Sequence, residues 1–289
     1  MDVNSATNLD LTGKVAIVTA GGGGIGRAIA IRLASFGADI VIGDIVAERC
    51  DEVTQCVIDV GRRAVAVPTD VMDSDQVAAL IDRADAEFGR IDILVNNAGG
   101  VSRRAFLDQS PRSWQRHIDI NPVSMLAATA AVAPVMIRGR SGGSIINVTS
   151  IEAMRAAPGF AVYAACKAAM VSFTQSMAVE LSGDGIRVNA IAPDHTVTPG
   201  SRGNRNGPVD PTRWVVPPAA EQAAMDRLIP LGREGVDSEC GDAAVFLCSS
   251  MARYITGVTL PVDGGTAAAG GWHRGSDGGW TLAEGLRFS

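Results

Sequence analysis

Apolar runs of strand length alternate with segments of helical periodicity along most of this chain. The runs are rich in Val, Ile and Ala with few polar interruptions, which is typical of strands that are covered on both faces. The pattern predicts strands over residues 14–20, 38–44, 64–70, 91–99, 143–150, 186–193 and 258–262. It predicts helices between them, over residues 24–36, 47–60, 74–88, 111–138, 159–182 and 238–249.

The regular succession of strands and helices indicates the fold class. Strands that are joined through helices form parallel βαβ units with right-handed crossovers. We therefore expect an α/β fold, a doubly wound parallel sheet of the Rossmann type with three layers. It is expected to occupy a single domain over residues 11–265, after a flexible N-terminus over residues 1–10.

Two segments depart from this succession. Residues 194–217 are rich in Gly, Pro and Arg and are too long for an ordinary connection. Loops of that length are usually functional lids or disordered, and residues 194–230 are predicted to form a substrate loop or lid. Residues 266–289 form a Gly-rich extension that contains Trp272 and Trp280, half of the chain's four tryptophans. We expect this extension to dock against the body of the protein or against a neighbouring subunit.

Composition excludes several classes of function. The chain has 289 residues and is 47% hydrophobic, which suits one large α/β domain. Its net charge of -6 and its scattered basic residues argue against nucleic-acid binding. We expect no membrane association and a cytoplasmic location, because no apolar run approaches a membrane span and residues 1–10 lack the features of a signal peptide. The five irregularly spaced cysteines predict reduced thiols, and the three scattered histidines predict no metal site.

A glycine cluster lies where the first predicted strand turns into the first helix, in the sequence "VTAGGGGIGRAIA" (18–30). Gly21, Gly23 and Gly26 satisfy the G-x-G-x-x-G spacing. Such a turn needs glycine so that the backbone can approach a pyrophosphate and the helix can pack near the strand. The helix N-terminus then presents unpaired N–H groups to the phosphates. The position of the motif between a strand and a helix predicts a dinucleotide-binding turn.

Asp44 ends the second predicted strand, 18 residues beyond Gly26. A carboxylate there can accept hydrogen bonds from an adenosine ribose diol and repels a 2′-phosphate. No basic residue immediately follows Asp44 or lies within the glycine turn, so we expect NAD rather than NADP. The alternative is a solvated aspartate at a strand end. Asp70, which precedes Val71 at the end of the third strand, either meets the adenine edge or starts the turn to the next helix.

The sequence "YAACK" (163–167) contains one of only two tyrosines and one of only two lysines in the chain. A phenol is a poor acid–base catalyst at neutral pH, and a nearby cation favours the phenolate and lowers its pKa. On a helix, Tyr163 and Lys167 share one face because they are four residues apart. A compact ammonium can also donate to a cofactor ribose, where a planar guanidinium fits poorly. The alternative is a chance pair on a surface helix.

Seven motifs or residues occur in a characteristic order and spacing along the chain. They are "TAGGGGIG" (19–26), "NNAG" (96–99), Asn121, Ser150, "YAACK" (163–167), "RVNAIAP" (187–193) and "YITGVTLPVDGG" (254–265). Together they resemble the short-chain dehydrogenase/reductase family over about residues 10–265.

The resemblance implies reversible hydride transfer between a nicotinamide and a carbonyl or alcohol carbon. By position, Tyr163 resembles the general acid/base, Lys167 its pKa-lowering partner and ribose ligand, and Ser150 the group that hydrogen-bonds the substrate oxygen. Asn121 resembles the helix residue that holds a water in the proton relay.

Further positions are implied to contact the cofactor, and four depart from the family pattern. Ala20 stands at the usual first glycine, Asp194 replaces the glycine after Pro193, Cys166 replaces a serine, and Pro122 follows Asn121. Asp194 and His195 leave the polarity of the substrate pocket open. The implied cofactor-binding residues are Gly21, Gly23, Gly24, Ile25, Gly26, Asp44, Asp70, Val71, Asn97, Ala98, Gly99, Tyr163, Lys167, Pro193 and Thr198.

Three functions are compatible with these features. The first is an NAD-dependent dehydrogenase or reductase that interconverts a secondary alcohol and a ketone on a hydrophobic, steroid-like or terpenoid-like substrate near Met154, Phe160 and Trp214. The second is a 3-oxoacyl thioester reductase that uses NADPH and a basic patch in the long loop, formed by Arg202, Arg205 and Arg213. The third is a non-catalytic dinucleotide-binding protein.

Partners are expected to be a small alcohol or ketone and further copies of the chain. Family members commonly pair through the helices that correspond to residues 111–138 and 159–182, whose Ala-rich faces permit close approach. A homo-oligomer, dimer or tetramer, is therefore expected.

Overall fold

The structure is a computed structural model that describes residues 8–204 and 207–284. Within this part, the central sheet has the strand order β3-β2-β1-β4-β5-β6-β7, and every neighbouring pair is parallel. The predicted doubly wound α/β fold is confirmed. The strands are β1 Val15–Thr19, β2 Asp39–Asp44, β3 Ala64–Pro68, β4 Ile93–Asn96, β5 Gly143–Val148, β6 Ile186–Pro193 and β7 Thr259–Val262.

Helices cover both faces of the sheet and complete the three layers. One hydrophobic cluster contains the buried sides of α1, α2 and α8, and the other contains those of α3, α5 and α6. Alternate residues of β1 enter the two clusters, with Val18 in the first and Ile17 in the second, so both faces of the strand are buried. The helices are α1 Gly24–Ser35, α2 Ala47–Asp59, α3 Ser74–Phe88, α4 Pro111–Ile118, α5 Ser124–Gly139, α6 Ala161–Glu180, α7 Ala219–Leu228, α8 Asp237–Cys248 and α9 Thr266–Ala269.

The strand order reverses direction between β1 and β4. From β1 the sheet extends through β2 to β3 on one side and through β4 to β7 on the other. In open α/β sheets the crevice for a ligand lies at the carboxyl ends of the strands at this reversal. The glycine turn after β1 and the segment after β4 therefore meet at one edge of the sheet.

The long loop contains structure that the sequence pattern did not predict. The short strands Thr196–Val197 and Gly235–Val236 pair with each other, and α7 lies between them in the chain. The single helix that was predicted over residues 111–138 is instead α4, a π-helical turn over Asp119–Val123, and α5. Arg205, which the sequence analysis placed in a basic patch, lies outside the described residues.

By length and composition alone, the continuous helical stretch Pro111–Gly139 is apolar enough to cross a membrane. The expectation that no apolar run approaches that length missed this stretch. In the structure the α5 part packs against the sheet and α3, and Met125, Val132 and Met136 are among its buried side chains. Packing in the core of the fold accounts for its apolar composition.

The C-terminal extension contacts the body of the protein at its start. Thr266 is buried and donates a hydrogen bond to the Asp194 carboxylate at 2.8 Å. A small antiparallel pair, His273–Arg274 with Trp280–Thr281, follows, and Arg274 lies over the Trp280 ring at 4.5 Å. Trp280 is about half exposed, so docking of this pair against a neighbouring subunit stays a prediction.

Candidate active site

The glycine turn fits the phosphates of a dinucleotide. Helix α1 begins at Gly24 with no side-chain cap and no acidic residue in its first turn. Its first N–H groups therefore remain available, and the positive end of the helix dipole faces the crevice. A phosphate at this helix end would accept from these donors.

Gly26 is required by close packing of α1 on the turn. A Cβ atom at Gly26 would lie 2.3 Å from the Ala20 carbonyl oxygen and 2.3 Å from Nδ2 of Asn97. Ala20, which stands where the related family has glycine, adopts a φ of 49°. An alanine in this left-handed region costs about 1–2 kcal/mol relative to an ordinary conformation. The backbone shape of the turn is thus kept despite the substitution.

Residues after β4 hold the turn after β1. Nδ2 of Asn97 donates to the carbonyl oxygens of Thr19 and Ala20, both at 3.1 Å. The backbone amides of Asn97 and Ala98 both donate to Oγ1 of Thr19 at 3.1 Å. These contacts join the two sides of the crevice, so Asn97 and Ala98 shape the predicted cofactor groove.

Asp44 is buried at the end of β2, beside the glycine turn. Its carboxylate accepts hydrogen bonds from the backbone amides of Gly22 and Val46, both at 2.9 Å. Asp70, at the end of β3, accepts from the amide of Met72 at 2.9 Å and thus starts the turn to α3. Each carboxylate oxygen has further acceptor capacity, so these contacts leave Asp44 able to accept from a ribose hydroxyl.

Arg49 on α2 lies against the glycine turn, and the sequence analysis did not predict a cation there. Its Nη1 would be 2.8 Å from a Cβ atom at Gly23. The buried guanidinium donates to the carbonyl oxygens of Gly207 at 2.6 Å and Asn204 at 3.0 Å. No basic residue lies within the glycine turn or directly after Asp44 in the sequence, but the fold brings Arg49 against the turn. No local signal indicated this contact, because the partners of Arg49 lie in a loop more than 150 residues away.

The predicted catalytic residues converge on one cavity of about 190 Å³. Ser150 follows β5, and Tyr163 lies in the first turn of α6 with Lys167 one turn later. Nζ of Lys167 donates to the Val148 carbonyl oxygen at 2.8 Å and lies 5.7 Å from the centre of the Tyr163 ring. The cavity is lined by Ile25, Asn97, Gly99, Gly100, Val101, Asn121, Val148, Thr149, Ser150, Tyr163, Lys167 and Pro193.

Burial controls the protonation of the tyrosine–lysine pair. It raises the pKa of Tyr163 to about 12, an effect that the neighbouring Ser150 hydroxyl opposes and that the negative charges of Glu152 and Asp194 reinforce. Burial also lowers the pKa of Lys167 to about 8. Desolvation disfavours the charged form of each group, which explains the two directions. The sequence analysis expected Lys167 to lower the pKa of Tyr163; in the structure burial raises it, and Lys167 is not among the groups that shift it.

Asn121 lies in the π-helical turn between α4 and α5 and is fully buried. Its Nδ2 donates to the carbonyl oxygens of Gly100 at 3.1 Å and His117 at 2.9 Å, and its Oδ1 accepts from the Gly100 amide at 3.3 Å. A Cβ atom at Gly99 would meet both Oδ1 of Asn121 and Nζ of Lys167, at 2.9 and 3.3 Å. Pro122 lies within this π-helical turn and has no N–H group to donate a helical hydrogen bond. Asn121 therefore fixes the segment after β4 beside the lysine.

The start of the long loop closes the cavity. Pro193 ends β6 and lines the cavity, and Thr198 packs on Gly24, whose added Cβ would lie 3.4 Å from Cβ of Thr198. Asp194 accepts from Arg155 at 3.2 Å as well as from Thr266. The extra negative charge that Asp194 brings to this region is therefore neutralised by an ion pair.

Other predicted residues lie away from this cavity. Val71 packs against the core beside α3, and Met154 is about half exposed. Arg202 forms an ion pair with Glu234 at 2.6 Å. Among the described residues, no group of three or more His, Cys, Asp or Glu side chains has the arrangement of a metal site. The five cysteines are free thiols.

A second, larger cavity of about 650 Å³ borders the catalytic residues. Glu152 lies two residues after Ser150, and the Phe160 ring packs edge-on to Tyr163 with centroids 6.5 Å apart. Phe160 thus lies near the pocket as the sequence analysis expected. The lining residues are Arg103, Glu152, Arg155, Ala156, Ala157, Pro158, Phe160, Thr266, Ala267, Gly270 and Gly271.

Comparison with known proteins agrees with this geometry. A family model described as enoyl-(acyl carrier protein) reductase matches residues 19–267. The chain is 40% identical over 256 residues to a cis-4-hydroxycyclohexanecarboxylate dehydrogenase from Sinomonas cyclohexanicum, covering 88% of this chain and 97% of the relative.

Two solved structures are similar along nearly their whole length. A 7α-hydroxysteroid dehydrogenase complexed with NADH and 7-oxo glycochenodeoxycholic acid superposes with a TM-score of 0.82 at 34% identity, covering 90% of this chain and 97% of that chain. A carveol dehydrogenase from Mycobacterium avium in complex with NAD superposes with a TM-score of 0.81 at 32% identity, covering 89% of this chain and 99% of that chain.

Proposed function

Since the chain belongs to the short-chain dehydrogenase/reductase family, and the relatives described above act on hydroxyl groups, we propose that it interconverts an alicyclic secondary alcohol and its ketone with NAD. The observation that carries the proposal is the convergence of Ser150, Tyr163 and Lys167 on one cavity beside the glycine turn. A binding protein would have no need for a buried lysine beside a tyrosine at this position, which argues against the non-catalytic alternative.

The protein side of the reaction is positioning and proton transfer. When bound, the nicotinamide dinucleotide supplies the hydride chemistry. Ser150 and Tyr163 donate hydrogen bonds to the substrate oxygen and stabilise the charge that develops on it. Tyr163 gives a proton to that oxygen in reduction and removes it in oxidation. Lys167, held by the Val148 carbonyl, stabilises the phenolate form when the proton leaves.

The preference for NAD rests on Asp44. Its buried carboxylate lies beside the glycine turn, where it would accept from ribose hydroxyls and repel a 2′-phosphate. Arg49, which lies against this turn, already donates to two loop carbonyls. The two similar solved structures contain NADH and NAD, which supports the same preference.

An alicyclic substrate is supported by the apolar residues that line the larger cavity and by the relatives. Ala156, Pro158, Phe160 and Ala267 form apolar walls next to the catalytic residues. The relatives are named as dehydrogenases of cis-4-hydroxycyclohexanecarboxylate, of a 7α-hydroxysteroid and of carveol. The alternative, a 3-oxoacyl thioester reductase with NADPH, would use a basic patch in the loop, but Arg202 is already paired with Glu234.

The test is NADH formation from NAD⁺, with NADP⁺ in parallel, across cyclohexanols, hydroxysteroids, terpenoid alcohols and 3-hydroxyacyl thioesters. We expect turnover of ring alcohols with a kcat/KM at least about tenfold higher for NAD⁺ than for NADP⁺. A preference for NADP⁺ and for thioesters would contradict the proposal and favour the reductase alternative.

A further inference from the structure

The larger cavity contains two arginines whose charges are balanced differently. Arg155 donates to both carboxylate oxygens of Glu152, at 3.2 and 3.3 Å, and to Asp194 at 3.2 Å. Its positive charge is therefore already compensated by two carboxylates. Within residues 8–204 and 207–284, the guanidinium of Arg103 forms no ion pair and no hydrogen bond. Arg103 is the lining cation whose charge is not compensated.

The backbone fixes the position of Arg103 at the cavity wall. The amide of the next residue, Arg104, donates to the Gly159 carbonyl oxygen at 2.8 Å. The Arg103 side chain passes over Gly159, where an added Cβ would lie 3.2 Å from Cγ of Arg103. Gly159 has a φ of 85° and precedes Tyr163 by four residues, so the arginine is tied to the segment that leads into the catalytic helix.

The two neighbouring cavities therefore offer three chemically distinct parts. Ser150 and Tyr163 line the smaller cavity, and the Tyr163 ring packs on Phe160 of the larger one. Apolar residues and the uncompensated guanidinium of Arg103 line the larger cavity. A guanidinium binds a carboxylate through two parallel hydrogen bonds, and such charge-assisted bonds are about twice as strong as neutral ones. A substrate that matches all three parts has a secondary hydroxyl, an apolar ring and an anionic group.

We propose that Arg103 binds the carboxylate of the substrate and that the preferred substrates are alicyclic secondary alcohols that carry a carboxylate. This inference rests on the proposed function, because it assigns the substrate class of the same site. Arg103 does not act on the reacting atoms. It orients the ring so that the hydroxyl reaches Ser150 and Tyr163.

The experiment compares three cyclohexanols that differ only at C4, which carries a carboxylate, a carboxamide or a methyl group. The variants are Arg103→Leu and, as a matched control, Arg104→Leu, since among the described residues the Arg104 side chain hydrogen-bonds only to the Asp108 carbonyl, at 3.4 Å. We expect Arg103→Leu to lower kcat/KM for the carboxylate about tenfold or more, and to change it less than about twofold for the other two alcohols. Arg104→Leu should leave all three values unchanged. Equal losses on all three alcohols, or equal effects of the two variants, would overturn the inference.

A binding measurement separates this inference from the proposed function. Cyclohexanecarboxylate and cyclohexanecarboxamide, which have no hydroxyl to oxidise, are titrated into the enzyme–NADH complex by calorimetry. We expect Arg103→Leu to weaken binding of the carboxylate about tenfold and to leave the carboxamide unaffected. If no cyclohexanol is turned over, the proposed substrate class fails, while this selective loss still supports Arg103 as the anion-binding residue. Equal affinity of the wild-type complex for both compounds would overturn it.

Discussion

Lys167 is buried and the neighbouring Tyr163 is partly buried, and desolvation favours the neutral form of each. The pKa of Tyr163 is raised to about 12 and that of Lys167 is lowered to about 8. Near neutral pH, Tyr163 therefore keeps its proton, which suits donation to a ketone oxygen. Removal of a proton from an alcohol needs the phenolate, so kcat/KM for oxidation is expected to rise with pH.

The raised pKa of Tyr163 is directly measurable, because the only other tyrosine, Tyr254, is fully exposed. In an absorbance titration at 295 nm, the pKa of Tyr163 should lie above the ordinary tyrosine value of about 10. The Tyr163→Phe variant should lose the part of the absorbance change that comes from this residue. Since the folded-state pKa is raised, folding loses this contribution as the pH rises from about 10 toward 12, and circular dichroism must show that the fold is intact. Ionisation of Tyr163 below about pH 9 would contradict the burial argument.

Sequence position reveals some of these residues and not others. Tyr163 and Lys167 are indicated by their own spacing, since four residues make one turn of a helix. Arg49 and Arg103 show no such spacing in the sequence, because the residues that each contacts are remote in the chain. Arg49 reaches Asn204 and Gly207, and Arg103 lies on Gly159.

At the scale of elements, the long loop is held against the cofactor groove by α2. Arg49 donates to the carbonyl oxygens of Asn204 and Gly207, and the loop itself closes through the Asn204 amide, which donates to Pro199 at 2.8 Å. Leaving a buried donor without an acceptor costs free energy. The two Arg49 hydrogen bonds therefore restrain the loop. Movement of this part of the loop away from α2 therefore breaks both Arg49 hydrogen bonds.

We predict that Arg49→Met loosens this loop without unfolding the sheet. The amides of Asn204 and Val215 should exchange with deuterium about tenfold faster, because the loop loses two charge-assisted hydrogen bonds. Hydrogen exchange with mass spectrometry of peptides over residues 199–217 measures this. Arg112→Met, an exposed substitution on α4, is the control. Unchanged exchange in the Arg49 variant would show that other contacts hold the loop.

Regular elements were predictable from the sequence, and short or irregular ones were not. The strands β1 and β6 follow apolar runs with little ambiguity. The pair Thr196–Val197 and Gly235–Val236 has only two residues in each strand, and long-range pairing alone defines it. The π-helical turn at Asp119–Val123 interrupts a helix whose apolar pattern continues through it, so periodicity alone predicted one helix.

At the scale of the whole molecule, the strand order brings the site together. Ser150 follows β5, Asn97 follows β4 and the glycine turn follows β1, and these three strands are neighbours in the sheet. Parallel strands place all their carboxyl ends at one edge, so residues from distant parts of the sequence meet there. The fold class could be predicted from the alternating pattern, but the cavity at this edge required the tertiary structure.

The helices α5 and α6 leave apolar side chains on the surface, which agrees with the expected homo-oligomer. Val179 on α6 is 75% exposed, and Leu126 on α5 is 42% exposed. We predict that light scattering after gel filtration gives a dimer or tetramer of the 29.9 kDa chain. Val179→Asp should shift the population toward smaller species, because a charge in an apolar interface is costly. Val60→Asp, on the surface beside α2, is the control, and a wild-type monomer would contradict the expectation.

Tyr163 transfers the proton in the proposed reaction, and the glycine turn and the cavity position the cofactor and the substrate beside it. The most direct test compares NADH binding and alcohol oxidation in the wild type and in Tyr163→Phe. We expect the variant to bind NADH with nearly unchanged affinity and to lose about 10²- to 10⁴-fold in kcat. A variant that keeps most of its turnover would contradict the assignment of Tyr163 as the acid/base.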